Sequence, residues 1–234
     1  MAGKIFLMPS QMGESEINIS FPGYNLEIIQ QINYYVVENE RTARRQLIRM
    51  GINTAIDDLT FFILNKHTTE QEIHPFFSPL EKDEDIAVLS EAGAPGIADP
   101  GSLFITLAHK KNISIVPLVG PSSIFMGLMS SGFNGQQFCF HGYLPVKSPQ
   151  RKQKIKDIEK RVKQFAETQI FIETPYRNSQ MLDELFQTCF PDTRLCIASM
   201  ITTDEEFIKT KTIKEWKQQK PDLHKLPTVF LLGK

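Results

Sequence analysis

Residues 90–101 read SEAGAPGIADPG, with three Gly, two Pro and three Ala in twelve positions. Gly reaches backbone angles closed to other residues, and Pro fixes the chain direction. Such a loop, following the apolar run DIAVL (85–89), lets a small molecule approach the main chain closely. Glu91 and Asp99 are placed within it to accept hydrogen bonds. The bland alternative is a tight strand-to-helix connection. A G-x-G-x-x-G fingerprint is absent and no Gly-Lys-Ser/Thr follows, so neither a dinucleotide fold nor a phosphate loop is indicated. A second loop, GPSS (120–123), follows the apolar run SIVPL (114–118). Pro121 suits a first helical turn, and Ser122 or Ser123 either caps that helix or meets a ligand.

Two other strand ends carry charge. ENERTARR (38–45) follows YYVV, and ETPYR (173–177) follows QIFI. Each joins a carboxylate to an arginine, which suits a polar site. Each also reads as a plain helix start, with i,i+4 ion pairs in the first and Thr174–Pro175 as cap and first residue in the second. FCFHGYLP (138–145) ends an apolar strand in an elbow, where His141 is as readily packed or solvated as catalytic. No H-E-x-x-H, no metal-ligand cluster and no G-x-S-x-G appears, so no metal is expected and acyl-enzyme chemistry is a poor candidate.

Positioning these loops requires strands that stop where the loops begin. Short apolar runs at 4–8, 34–37, 61–64, 85–89 and 114–118 alternate with helical patterns at 25–32, 42–50, 103–110 and 122–130, the second closed by Gly51. That order implies an α/β domain with a parallel sheet. After PVKSPQ (145–150) the pattern changes: a charged helix over 152–166, then strands at 169–172, 194–199, 206–211 and 228–232 with helices at 179–188 and 213–219. The expectation is an N-terminal α/β domain over 1–145 and a C-terminal α+β domain over 146–234.

Composition narrows the partners. The chain has 234 residues, a net charge of −1 and 41% hydrophobic residues, ordinary for a globular protein. Global charge makes no case for nucleic acid. Residues 147–163 are the local exception, holding eight Lys or Arg against Asp157 and Glu159. Such a run reads either as a solvated helix face or as a phosphate-binding surface. Cys139, Cys189 and Cys196 are odd in number and widely spaced, as expected of a cytoplasmic protein without disulfides. No apolar run approaches the roughly 20 residues that span a bilayer, and the apolar run in MAGKIFLMPSQ is too short for a signal-peptide core.

VLSEAGAPGIADPG, VPLVGPSS, FCFHGYLPVK and FIETPYR, in this order, resemble four motifs of the tetrapyrrole-methylase-like (class III) S-adenosylmethionine-dependent methyltransferases. The match is to the branch that 2′-O-methylates a cytidine ribose of small-subunit ribosomal RNA. The resemblance covers roughly residues 86–177. It implies two α/β domains with the cofactor in the cleft between them, a homodimer, S-adenosylmethionine as cofactor and small-subunit ribosomal RNA as partner. It also implies that Glu91, Ala92, Gly93 and Ile97 line the methionine and ribose side of the cofactor. Ser122 and Ser123 would contact it from the second loop, and Pro227 and Thr228 near the adenine. By the same resemblance, Glu38 and Glu173 are candidates for a general base, and Arg41 and Arg177 for phosphate binding.

Three departures fall in the substrate-facing motifs. The family's P-T-P-I-G-N-L is PSQMGES here (9–15), E-D-T-R is ENER with Asn39 for Asp, and the His of E-S-x-H-R is Tyr176. They keep two other expectations open: a class III methylase acting on a small molecule such as a tetrapyrrole, and a non-catalytic family member that binds RNA or protein.

Overall fold

A computed structural model describes residues 3–234. The chain forms two compact units, Met1–Ser122 and Ser123–Lys234.

In the first unit the elements run β1 (Ile5–Met8), α1 (Ile17–Ser20), α2 (Gly23–Ile29), β2 (Tyr34–Val37), α3 (Glu40–Arg49), β3 (Thr60–Ile63), α4 (Glu70–Ile73), β4 (Ile86–Leu89), α5 (Gly101–Lys110) and β5 (Ile115–Pro117). The five strands pair in the order β3-β2-β4-β1-β5, and every pair is parallel. The central strands are continuous apolar runs, IFLM and IAVL, because helices cover both faces of a parallel sheet. On one face pack Ile28, Ile29, Ala43 and Leu47; on the other Ile73, Phe77, Phe104 and Leu107. Pro9 directly follows β1 and lacks the N–H that a further ladder bond needs.

Helix α3 shows how the sequence sets a boundary. Asn39 Oδ1 accepts from Thr42 N at the start. At the end Gly51 takes φ +77°, and its N–H and that of Ile52 return to the carbonyls of Ile48 and Leu47. This is the Schellman pattern that the glycine signals.

The second unit runs α6 (Ser123–Ser131), β6 (Phe138–Tyr143), α7 (Ser148–Phe165), β7 (Thr168–Ile172), α8 (Asn178–Thr188), β8 (Arg194–Ser199), β9 (Phe207–Thr212), α9 (Ile213–Gln218) and β10 (Thr228–Gly233). Its sheet is mixed, in the order β6-β7-β10-β8-β9. Only β6 and β7 are parallel. Helix α7 buries Arg151, Ile155, Ile158, Glu159 and Val162, a stripe at helical spacing.

The break expected at Pro145 differs from the unit boundary at Ser122. Strand β6 joins the second sheet through β7. Helix α6 lies on β10, where a Cβ on Gly127 would meet Leu231 Cδ1 at 3.4 Å. The prolines of PVKSPQ mark the start of α7, with Pro149 in its first turn, rather than a linker. The expected order, a parallel α/β sheet followed by an α+β part, is the order the chain adopts, the second part carrying a mixed sheet.

Candidate active site

In a parallel sheet the strand C-termini share one edge, where ligands bind. In the first unit that edge collects the loops after β1, β2, β4 and β5. Ser10, just past β1, exchanges two backbone hydrogen bonds with Gly93 (2.8 and 3.0 Å). Its buried hydroxyl lies 2.6 Å from Ser90 O and 2.9 Å from Gln46 Oε1. Gln46 Nε2, from α3, donates to Glu91 O at 3.0 Å, and Ser90 Oγ donates to Gly93 O at 2.8 Å. The 90–93 segment is thus clamped to both β1 and α3. The loop after β5 passes close by: a Cβ on Gly120 would stand 2.4 Å from Pro9 Cβ, and one on Gly93 would stand 3.6 Å from Pro121 O. Gly93 holds φ +72°, a conformation that penalises any side chain.

Farther along, Asp99 Oδ1 accepts from both Gly96 N and Gly101 N at 2.8 Å. This closes the loop onto the start of α5. Burial raises the Asp99 carboxyl above its ordinary range, against the lowering effect of those two amides. Glu38, one residue past β2, is pushed up to about 7, first by burial and then by the charges of Asp99 and Glu91. Glu38 thus feels two carboxylates of the β4 loop, and every influence on it favours its protonated form. Arg41 stands exposed in the first turn of α3. Arg44 is occupied by Glu40 and Asp57.

Of the expected cofactor residues, Ala92 and Gly93 lie on the clamped segment, with Glu91 exposed beside them. Ile97 presents an apolar side chain 51% exposed. Ser122 ends the first unit and Ser123 begins α6, both half-buried.

The second unit holds the remaining expected residues. Glu173 is buried. Its Oε1 takes Thr174 N (2.7 Å), Arg177 Nε (3.0 Å) and Arg177 Nη2 (2.6 Å), while its buried Oε2 has no hydrogen-bond partner. The adjoining buried Asn178 donates to Leu226 O and leaves Oδ1 unpaired. Thr174 precedes a short 3-10 turn with Pro175 first, as a helix start would have it, although its side chain does not cap. Pro227 and Thr228 sit at the start of β10: Thr228 Oγ1 donates toward Ser199 Oγ and Leu226 O, and Pro227 O accepts from Met200 N. His141 bonds Gln169 Oε1 at 2.7 Å and burial lowers its pKa, which fits a packed histidine.

Sequence reasoning missed the clamp. Ser10 falls in the altered PSQMGES segment, which stands out only as a departure from the family, and Gln46 carries no motif. Among the described residues no group of His, Cys, Asp and Glu is arranged to hold a metal, and no helix is long and apolar enough to cross a membrane.

The fold of the chain is shared with a solved methyltransferase. The crystal structure of the methyltransferase CobJ matches with a TM-score of 0.66, covering 100% of this chain and 95% of that one, at 16% identity. The ribosomal RNA small subunit methyltransferase I of Haemophilus influenzae is 30% identical over 210 residues, 88% of this chain and 71% of that protein. That of Escherichia coli O157:H7 is 27% identical over 213 residues, covering 91% and 70%. No family model matches the chain. With the fold shared with one methyltransferase and the sequence related to others, the chain is a methyltransferase. Within that class, the chain belongs to the family of ribosomal RNA small subunit methyltransferase I.

Proposed function

We propose that this protein transfers a methyl group from S-adenosylmethionine to a ribose 2′-oxygen of small-subunit ribosomal RNA. The observation that carries the mechanism is Glu38, a carboxylate held near pKa 7 at the edge of the parallel sheet. The residues present fit the cofactor. Glu38, Glu91 and Asp99 form an acidic edge that a sulfonium or ammonium group would neutralise. Gly93 opens the main chain, while Ile97 and Val119 (51% and 74% exposed) offer apolar surface.

When bound, S-adenosylmethionine supplies a methyl group already activated on sulfur, so alignment does most of the work and contributes on the order of 7–11 kcal/mol. Glu91, Ala92, Gly93 and Ile97 would hold the methionine and ribose portion, and Ser122 and Ser123 would bind from the next loop. Pro227 and Thr228 would be the candidates for the adenine side. Ionised Glu38 would take the proton of the attacking 2′-hydroxyl while its oxygen bonds the methyl carbon and the methyl–sulfur bond breaks, the electron pair leaving on sulfur as a neutral thioether, a contribution of roughly 10²–10⁴-fold. A base with pKa near the working pH is well matched to that step. Arg41, exposed one turn into α3, binds the flanking phosphate.

Glu173 is the poorer base, because its Oε1 is already engaged by Arg177 and an amide. Its open Oε2 suits a hydrogen bond from the acceptor, with Arg177 contributing phosphate contact at its exposed edge. A homodimer in the cytoplasm belongs to the same proposal, and sedimentation of the purified protein checks the subunit count.

The test is transfer of labelled methyl from S-adenosylmethionine to small ribosomal subunits isolated from cells lacking this gene. Recovery of label in a 2′-O-methylnucleoside is expected. Cofactor binding by calorimetry without incorporation would refute the acceptor.

A further inference from the structure

Helix α7 presents its charges on two sides. Lys154 faces His141, and Arg161 is paired with Glu167 at 2.7 Å. On the other side Lys152, Lys156, Lys160 and Lys163 recur at intervals of four, four and three, one stripe along the helix. At 1.5 Å per residue the stripe runs about 16 Å with a charge about every 6 Å. Lys156 and Lys160 are exposed and have no ion pair among the described residues. Lys152 Nζ donates to Gln187 Oε1 and acts on the Glu184 carboxylate.

Beside this stripe an aromatic ring is held in place by the helix itself. Buried Glu159 Oε1 accepts from Phe190 N at 2.7 Å and from Thr193 Oγ1, which pins the 190–193 turn onto α7. Phe190 is 59% exposed with Lys163 Nζ 3.4 Å from its ring centroid. The same turn accepts Lys214 N and Ile213 N through the carbonyls of Pro191 and Thr193. That brings the exposed Lys214 and Lys217 of α9 to this face. Lys163 and Lys217 both act on Cys189, next to Phe190. Exposed acids near this face include Asp157, which accepts from Gln153, Asp192 in the turn, and Glu215 of α9, which accepts from Thr212.

A row of lysines, none of them in an ion pair among the described residues, beside a pinned, exposed aromatic ring is the chemistry that holds single-stranded nucleic acid: phosphates on the cations, a base on the ring. We infer that the α7 face of the second unit binds a single-stranded RNA segment, with Lys152, Lys156, Lys160 and Lys163 on its phosphates and Phe190 stacked on a base. The inference rests on the RNA reading above for its partner class. It adds where the strand is held and by which side chains. Glu159 acts as a positioning residue for Phe190.

The experiment is fluorescence anisotropy of a labelled 12-nucleotide oligouridylate titrated with the full chain over 50–200 mM KCl. Lys156→Glu/Lys160→Glu/Lys163→Glu should weaken binding at least tenfold at 100 mM. It should also flatten the salt slope by about 2, since each single-strand phosphate contact contributes about 0.7. Phe190→Ala should weaken binding about tenfold with the slope unchanged. A charge-matched control, Lys66→Glu/Lys82→Glu/Lys209→Glu, should change affinity less than twofold. Melting temperature and S-adenosylmethionine affinity of each variant report that the fold is intact.

Equal affinity of the α7 variant and the control overturns the inference. So does wild-type protein that ignores the oligonucleotide but binds phosphatidylserine vesicles. If this face binds RNA while no ribosomal RNA is methylated, the acceptor assignment fails and the surface stands. If methylation proceeds and the α7 variants bind and methylate like wild type, the surface fails alone.

Discussion

Glu38→Gln separates the electrostatics of the sheet edge from its chemistry. The carboxyl titrates at about 7 in the folded protein, against an ordinary value of 4.5. At about 1.36 kcal/mol per pKa unit, that difference sets a ceiling of about 3 kcal/mol. Glu38 is only partly buried, so solvent screening reduces the expected cost to about 1–2 kcal/mol. A carboxyl raised in the folded state binds its proton more tightly there than in the unfolded chain. Its contribution to stability is therefore intact below about pH 4.5 and is lost progressively as the pH rises to 7 and above. Glutamine carries no charge and pays no such cost. Urea unfolding of wild type and variant at pH 5 and pH 8 should show the variant gaining about 1–2 kcal/mol on wild type between the two. Methyl transfer should move the other way. The wild-type rate should rise with pH through about 7, and the variant should be roughly 10²–10⁴-fold slower with that rise absent. A variant that methylates at the wild-type rate refutes the base assignment. One whose stability difference is constant with pH refutes the electrostatic account.

Ser10→Ala removes a buried hydroxyl shared by Ser90 O and Gln46 Oε1; calorimetry should show weaker S-adenosylmethionine binding, and denaturation a loss of about 1–2 kcal/mol. Gly93→Ala meets no close atom but must hold φ +72°, so it should cost about 1–2 kcal/mol from strain rather than clash, whereas Gly120→Ala, with Pro9 Cβ at 2.4 Å, should prevent normal folding, as circular dichroism would register. Arg151→Ala strands buried Glu184, its bidentate partner at 2.6–2.7 Å; a loss of about 3–5 kcal/mol and roughly 10 °C in melting temperature is expected, and Arg151→Met/Glu184→Leu should recover much of it.

The strands and the loops that follow them were legible because their signals are local. Apolar runs such as IAVL end at Gly- and Pro-rich segments, and Gly51 closes α3 by a backbone conformation that favours glycine. Charged residues just past strands, Glu38 and Glu173, could be singled out for the same reason. What was not legible depends on partners distant in sequence. Ser10 reaches Ser90 and Gln46 across 80 and 36 residues, and its place in the PSQMGES segment does not report those partners. Two prolines near residue 147 look like a linker, yet one begins a helix; β6 belongs to the second unit through its pairing with β7, which no local pattern reports. The raised pKa of Glu38 is likewise a product of the fold, since Asp99 stands 61 residues away in sequence. The lysine run of α7 was visible, but which lysines share a side with Phe190 emerges only once Glu159 is seen to pin the turn.

Ribose 2′-O-methylation mapped across the small-subunit ribosomal RNA of cells that carry the gene, lack it, or carry Glu38→Gln decides whether this protein is a ribose methyltransferase with Glu38 as its base. One methylated ribose should disappear on deletion and stay absent or sharply reduced with Glu38→Gln. Identical maps in all three would contradict that reading.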